Sequence, residues 1–121
     1  LDERGDPGSR ELYIDFRDQP GYPDGMCADT DGGLWVCQFG GGRVTRFGPD
    51  GQPEREIELP VPNVTKCAFG GASLQTLYIT TAATGLDDEQ RRRHPLSGGL
   101  FSVDTRFTGT ATVPVPRPVI R

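Results

Sequence analysis

With 121 residues the chain has room for one ordinary domain, and its 17 glycines and 11 prolines exclude long helices in favour of short strands joined by tight turns. A net charge of −4 and a pI near 4.9 argue against a nucleic-acid or anionic-membrane partner, since either would want a basic face, and no apolar run approaches the roughly 18 residues of a membrane span. Only 34% of the residues are hydrophobic, but they fall in compact, regularly spaced runs, which excludes a disordered chain.

Period-two patterning predicts strands, in chain order, at about Leu12–Phe16, Met26–Asp29, Leu34–Phe39, Val44–Phe47, Arg55–Leu59, Lys66–Phe69, Thr76–Thr80, Leu100–Val103 and Thr110–Val113. Turn residues separate nearly all of them: Asp31-Gly32-Gly33, Gly40-Gly41-Gly42, Pro49-Asp50-Gly51 and Gly70-Gly71. Evenly spaced short strands with glycine turns indicate an antiparallel meander. In Gly85–Arg93 acids precede arginines at helical spacing, which predicts a short surface helix.

The meander repeats. Met26-Cys27-Ala28 aligns with Lys66-Cys67-Ala68, Leu34-Trp35-Val36 with Leu77-Tyr78-Ile79, and Gly42–Arg46 with Gly99–Val103. The growing offset places an insertion in the second copy, at about 82–98. A period of about 40–45 residues with four strands per copy is the signature of β-propeller blades. The predicted architecture is all-β: one partial propeller domain with a leading strand at about 11–16, a blade at about 24–59 and a blade at about 64–114. Two blades cannot close a ring, which takes at least about four. The chain is therefore expected to be a piece of a longer protein or to self-associate, and the missing initiator Met favours a piece.

Three cysteines, Cys27, Cys37 and Cys67, show no metal-type C-x-x-C spacing. Two of them sit inside apolar strands, so buried reduced thiols are expected, which suits a cytoplasmic location. The chain starts at Leu1 with no charged and apolar leader, so no signal peptide is predicted. Asn63-Val64-Thr65 is a glycosylation triplet that carries no meaning without secretion.

One acid stands apart. Asp24, in Tyr22-Pro23-Asp24-Gly25, leads into the first strand of a blade, the strand nearest the axis where blades converge. It is either a turn residue or a metal ligand and base. Pro49-Asp50-Gly51 lies between two strands where a hairpin turn is needed, so Asp50 is read as a turn residue. By the repeat, Val64 occupies the place of Asp24 in the next blade; a need common to every blade would recur there, and the acid does not. Asp29 and Asp31 are expected to be solvated or to cap the following turn. Trp35 and Tyr78 are expected to pack between blades, and Cys27 and Cys67 to be matched inner-strand packing residues. The Gly40–Gly42 run lacks a following Lys-Ser/Thr and opens no helix, so it is no phosphate loop. His94 follows Arg91-Arg92-Arg93 in the inserted loop, where a charged exposed loop is expected and no second His or Cys supports a metal site.

The blocks Tyr22–Asp29, Gly33–Val36, Gly41–Val44, Leu59-Pro60, Thr65–Gly71, Leu77–Thr80 and Pro95–Phe101 resemble, in order and spacing, the C-terminal third or so of the gluconolactonase and regucalcin (senescence marker protein) family. The resemblance implies a six-bladed propeller and a metal-dependent lactonase that opens aldonolactones to aldonic acids. It implies a divalent ion (calcium, zinc, manganese or magnesium) held by a Glu, an Asn and an Asp, the last being Asp24. The Glu and Asn belong to regions outside these residues. The ion would polarise the lactone carbonyl, and Asp24 would act as general base towards the attacking water. The implied partners are a small-molecule sugar lactone and the remaining blades, with no nucleic acid and no membrane, and the 121 residues alone are expected to be inactive. A non-catalytic metal-binding or interaction propeller is the alternative.

Overall fold

A computed structural model describes residues 1–114 and 116. Two antiparallel sheets account for the strands. The first contains β1 (Tyr22–Ala28), β2 (Leu34–Phe39), β3 (Arg43–Phe47) and β4 (Pro53–Glu58), in that spatial order. The second contains β5 (Val64–Gly70), β6 (Thr76–Thr81) and β7 (Leu100–Asp104), also in sequence order. Each strand lies beside its chain neighbour because glycine turns reverse the chain, as at Gly32 (φ 78°). Asp50 is the turn residue the sequence predicts: its carboxylate accepts from the Gln52 N–H at 3.0 Å.

The core fills the space between the sheets. Trp35, Cys37 and Val44 from the first sheet meet Val64, Cys67, Leu77 and Ile79 from the second. In β6 the alternation is clean, with Leu77 and Ile79 buried and Tyr78 and Thr80 exposed, because only one face of the second sheet is covered. In contrast β2 and β3 are buried on both faces. Their far side is covered by the segment 12–20: Phe16 packs on Phe47 with ring centroids 5.5 Å apart, the Tyr13 hydroxyl donates to the Gly48 carbonyl at 3.1 Å, and Gln38 Nε2 donates to the Pro20 carbonyl at 2.9 Å.

Two predicted strands do not form. Leu12–Phe16 runs as irregular chain across a face of the first sheet, where Phe16 packs on Phe47, and does not pair along the open edge of β4. Thr110–Val113 does not join β7 as a fourth strand. The chain folds back after β7 instead: Thr105 N–H bonds the Gln75 carbonyl at 2.9 Å, Gly109 N–H the Leu74 carbonyl at 2.8 Å, and Gly109 bridges to Asp29 of the first sheet. This return drives Phe107 against Trp35, centroids 5.5 Å apart, and so closes the cleft between the sheets.

The predicted helix forms as α1 (Asp88–Arg93) within the insertion after β6. Asp87 and Gln90 make a reciprocal capping box, with acids in the first turn and arginines in the last, which suits the helix dipole. None of its residues is buried.

Candidate functional site

β1 enters and β2 leaves at the same end of the first sheet, so Asp24 shares that end with the Gly40–Gly42 turn, the 59–63 crossing and the insertion after β6. Asp24 is exposed, and among the described residues its carboxylate makes no ion pair. It sits where the β1–β2 register slips, between Pro23 opposite Gln38 and Met26 opposite Val36. Such a bulge inserts an extra residue and re-aims a side chain at the end of a strand.

The second sheet has the same irregularity. Its register slips between Val64, opposite Thr81, and Lys66, opposite Thr80. With Trp35 aligned on Tyr78, the ladders place Pro23 with Val64, Asp24 with Thr65, Gly25 with Lys66, Met26 with Cys67 and Cys27 with Ala68. The sequence alignment of Cys27 with Cys67 is thus one residue out. Because side chains alternate faces, one residue reverses the direction in which each points. Cys27 and Cys67 indeed face each other across the sheets, Sγ to Sγ 3.5 Å, which two equivalent positions related by rotation would not do. The counterpart of Asp24 is Thr65, whose hydroxyl lies 2.8 Å from that of Thr80. An acid still does not recur.

Gly25 is there for space. A Cβ on it would lie 2.4 Å from Lys66 Cδ, 2.7 Å from the Thr65 carbonyl oxygen and 2.9 Å from Lys66 Cα. The Lys66 ammonium crosses to donate to the Met26 carbonyl at 2.6 Å, tying the bulge of β1 to β5. A single open carboxylate fits a hard divalent cation as one oxygen ligand. Among the described residues no group of three His, Cys, Asp or Glu side chains converges as a metal centre.

At the other end of β1, Asp29 is buried, not solvated (3% exposed). It does cap the following turn, accepting from the Asp31 and Gly33 N–H groups at 3.0 and 2.9 Å. It also accepts from Trp35 Nε1 at 2.8 Å and Arg46 Nε at 2.7 Å. Arg46 reaches Glu54 as well, and its guanidinium lies 4.1 Å from the Phe107 ring centre. Burial pushes the Asp29 carboxyl up, but the bonds from Arg46, Gly33 and Trp35 outweigh it and hold the group below the usual carboxylate range. Alternation in the sequence puts Arg46 on the same face of β3 as Val44, but its place opposite Trp35, where a buried arginine requires an acid, comes from the ladder. Trp35 packs between the sheets as predicted, edge-on to Phe69 at 5.7 Å as well as to Phe107. Tyr78, on the outward face of β6, is 41% exposed. His94 is half-buried, at the end of α1.

Residues 1–83 match the family described as the SMP-30/gluconolactonase/LRE-like region. The chain is 46% identical over 112 residues to a 6-deoxy-6-sulfogluconolactonase from Pseudomonas putida, covering 92% of this chain and 38% of that protein. It is 37% identical over 100 residues to regucalcin from Xenopus laevis, covering 82% of this chain and 33% of that protein. Its structure is similar to that of a calcium-binding protein, regucalcin, from Agrobacterium tumefaciens, with a TM-score of 0.81, 31% identity and coverage of 85% and 35% of the two chains. The luciferin-regenerating enzyme also matches, with a TM-score of 0.72, 37% identity and coverage of 85% and 35%. The chain thus spans between a third and two fifths of the length of the curated relatives named here. With more than half of its residues matched, the chain belongs to the SMP-30/gluconolactonase/LRE-like family.

Proposed function

We propose that this chain is part of a divalent-metal sugar lactonase, a propeller in which Asp24 is both a metal ligand and the general base. The observation that carries this reading is the placement of Asp24: an exposed carboxylate at a bulge where an inner strand begins, held there by Gly25 and Lys66. The bulge recurs in the second sheet with Thr65 in the acid's place, so the bulge serves the fold and the carboxylate serves something else. Support for the substrate class comes from the gluconolactonase relative, and for a cation from the calcium-binding regucalcin structure.

A bound divalent ion supplies polarisation of the lactone carbonyl. The chain's own residues supply the rest. Asp24 accepts a proton from water as its oxygen attacks the carbonyl carbon. The ring C–O bond then breaks and the released alkoxide takes the proton held by Asp24, giving the open hydroxy acid and restoring the carboxylate. Lys66 and Gly25 keep the bulge in place, so the carboxylate's position does not rest on a flexible loop. The remaining ligands and the residues that read the sugar hydroxyls belong to other blades of the ring. One neighbouring blade is placed on the outward face of the second sheet, where Tyr78 and Leu100 are exposed.

The test is aldonolactone hydrolysis by the protein at its full natural length, with and without divalent ions, in Asp24→Asn and Asp24→Ala forms. Asp24→Asn keeps an oxygen ligand and loses the base, so activity falls by about 100-fold or more while metal affinity falls less. Asp24→Ala loses both. Undiminished hydrolysis by Asp24→Asn removes the base assignment, and metal binding without any lactonase activity in the unaltered protein favours the non-catalytic propeller.

A further inference from the structure

We propose that Cys27 and Cys67 form a covalent modification site, a disulfide that hydrogen peroxide closes between the two sheets. The two sulfurs are 3.5 Å apart, one on β1 and one on β5, strands that pack directly against each other. They are forty residues apart in sequence and belong to different sheets, so their approach is a product of sheet packing alone. The bond requires the sulfurs to close by roughly 1.5 Å. The two side chains face each other across one interface, so rotation about their own side-chain bonds is the route by which the sulfurs close.

The surroundings favour one order of events. Cys67 is buried and Cys27 half-buried, so Cys27 is the sulfur that peroxide reaches. The Lys66 ammonium, bound to the carbonyl of Met26 next to Cys27, favours the thiolate at both sulfurs. Contact with Cys67 and burial nonetheless hold the Cys27 thiol well above its ordinary range. For Cys67, contact with Cys27 pulls the thiol down, but contact with Cys37 and burial prevail and push it up to about 12. With few thiolates at neutral pH, the pair reacts slowly with peroxide.

The chemistry balances. The Cys27 thiolate attacks one peroxide oxygen; the S–O bond forms, the O–O bond breaks, and the departing hydroxide takes the thiol's proton to leave as water. The Cys67 sulfur then attacks the sulfenic sulfur; the S–S bond forms, the S–O bond breaks, and a second water leaves with the Cys67 proton. Two thiols and one hydrogen peroxide become one disulfide and two waters. The product welds β1 to β5 three residues after Asp24 and closes a long loop, which restricts the unfolded chain.

The experiment treats the protein at its full natural length with hydrogen peroxide, blocks the remaining thiols and maps the linkage by mass spectrometry after denaturation and digestion. Trypsin leaves Cys27 and Cys37 together on residues 18–43, so a second cut before Asp29 and Asp31 is needed to separate them. The expected result is a Cys27–Cys67 link with Cys37 blocked, loss of the mass of two hydrogens, and a Tm raised by roughly 5 °C that dithiothreitol reverses. Cys27→Ala abolishes the link and the Tm rise, whereas Cys37→Ala keeps both. A Cys37–Cys67 link, sulfinic acid at Cys27 without a link, or both thiols still open to blocking overturns the proposal. The mapping on the unaltered protein decides the matter even if a variant does not fold.

Discussion

Asp24 and Gly25 divide the work at the mouth of β1. The carboxylate is open to solvent, whereas the glycine beside it is enclosed by Thr65 and Lys66 of the neighbouring strand. A methyl group there meets backbone as well as side chain, so β1 and β5 must move apart to admit it. Gly25→Ala is expected to cost about 1–3 kcal/mol in denaturant unfolding and to displace Asp24, lowering the proposed lactonase activity of the protein at its full natural length without removing any ligand. An activity unchanged by Gly25→Ala contradicts the view that the bulge positions the acid. The two Pro-Asp-Gly triplets were separable in the sequence by context: one sits between hairpin strands, the other ahead of an inner strand. The nature of the position, a bulge repeated at Thr65, was not, because a bulge is defined by what pairs across from it.

At the scale of the strand and its ladder, the Asp29–Arg46 pair holds the far end of β1 against β2 and β3. Both residues are 3% exposed and linked to Trp35, Glu54 and Phe107. Removing one charge of a buried pair leaves the other uncompensated, so Asp29→Asn is expected to destabilise by about 3–5 kcal/mol. The folded carboxyl lies below its ordinary value of 3.8. Its contribution is therefore complete above that value and is lost as pH falls through the lowered folded pKa. Unfolding followed by denaturant titration should show a steeper loss of stability below about pH 4 in the unaltered protein than in Asp29→Asn. Equal acid sensitivity of the two proteins excludes this source of stability. The same scale explains the misaligned repeat. Matching Cys27 to Cys67 follows residue type, whereas the ladders follow faces, and a slip of one residue exchanges the faces of the sheet.

In the whole molecule the two sheets share one core, and Trp35 at 1% exposure is its largest side chain. Trp35→Ala is expected to cost about 3–5 kcal/mol, visible as a lowered denaturant midpoint, because Phe69 and Phe107 both lose their packing partner. A cost below about 1 kcal/mol contradicts a core built on that contact. The second sheet's outward face carries Tyr78 and Leu100 at 41% and 68% exposure. With one candidate ligand among the described residues, the 121 residues expressed alone are expected to show no lactone hydrolysis above the uncatalysed rate, with or without divalent ions. Turnover by this chain alone overturns the placement of the other ligands in further blades.

The sequence by itself determined the strands from Met26 to Val103, the glycine turns, the short helix and the singular position of Asp24. These are local: alternation, turn chemistry and capping are settled by neighbours a few residues apart. Only the tertiary structure decided that segments 12–16 and 110–113 form no strands, since a strand exists by pairing, and the first packs on a sheet face while the chain after β7 turns back to Leu74 and Asp29. It alone buried Asp29 on Arg46, put Thr65 in the place of Asp24, and brought Cys27 to Cys67. Those outcomes depend on which face meets which across the sheets, and that is fixed by register and packing between residues far apart in the chain.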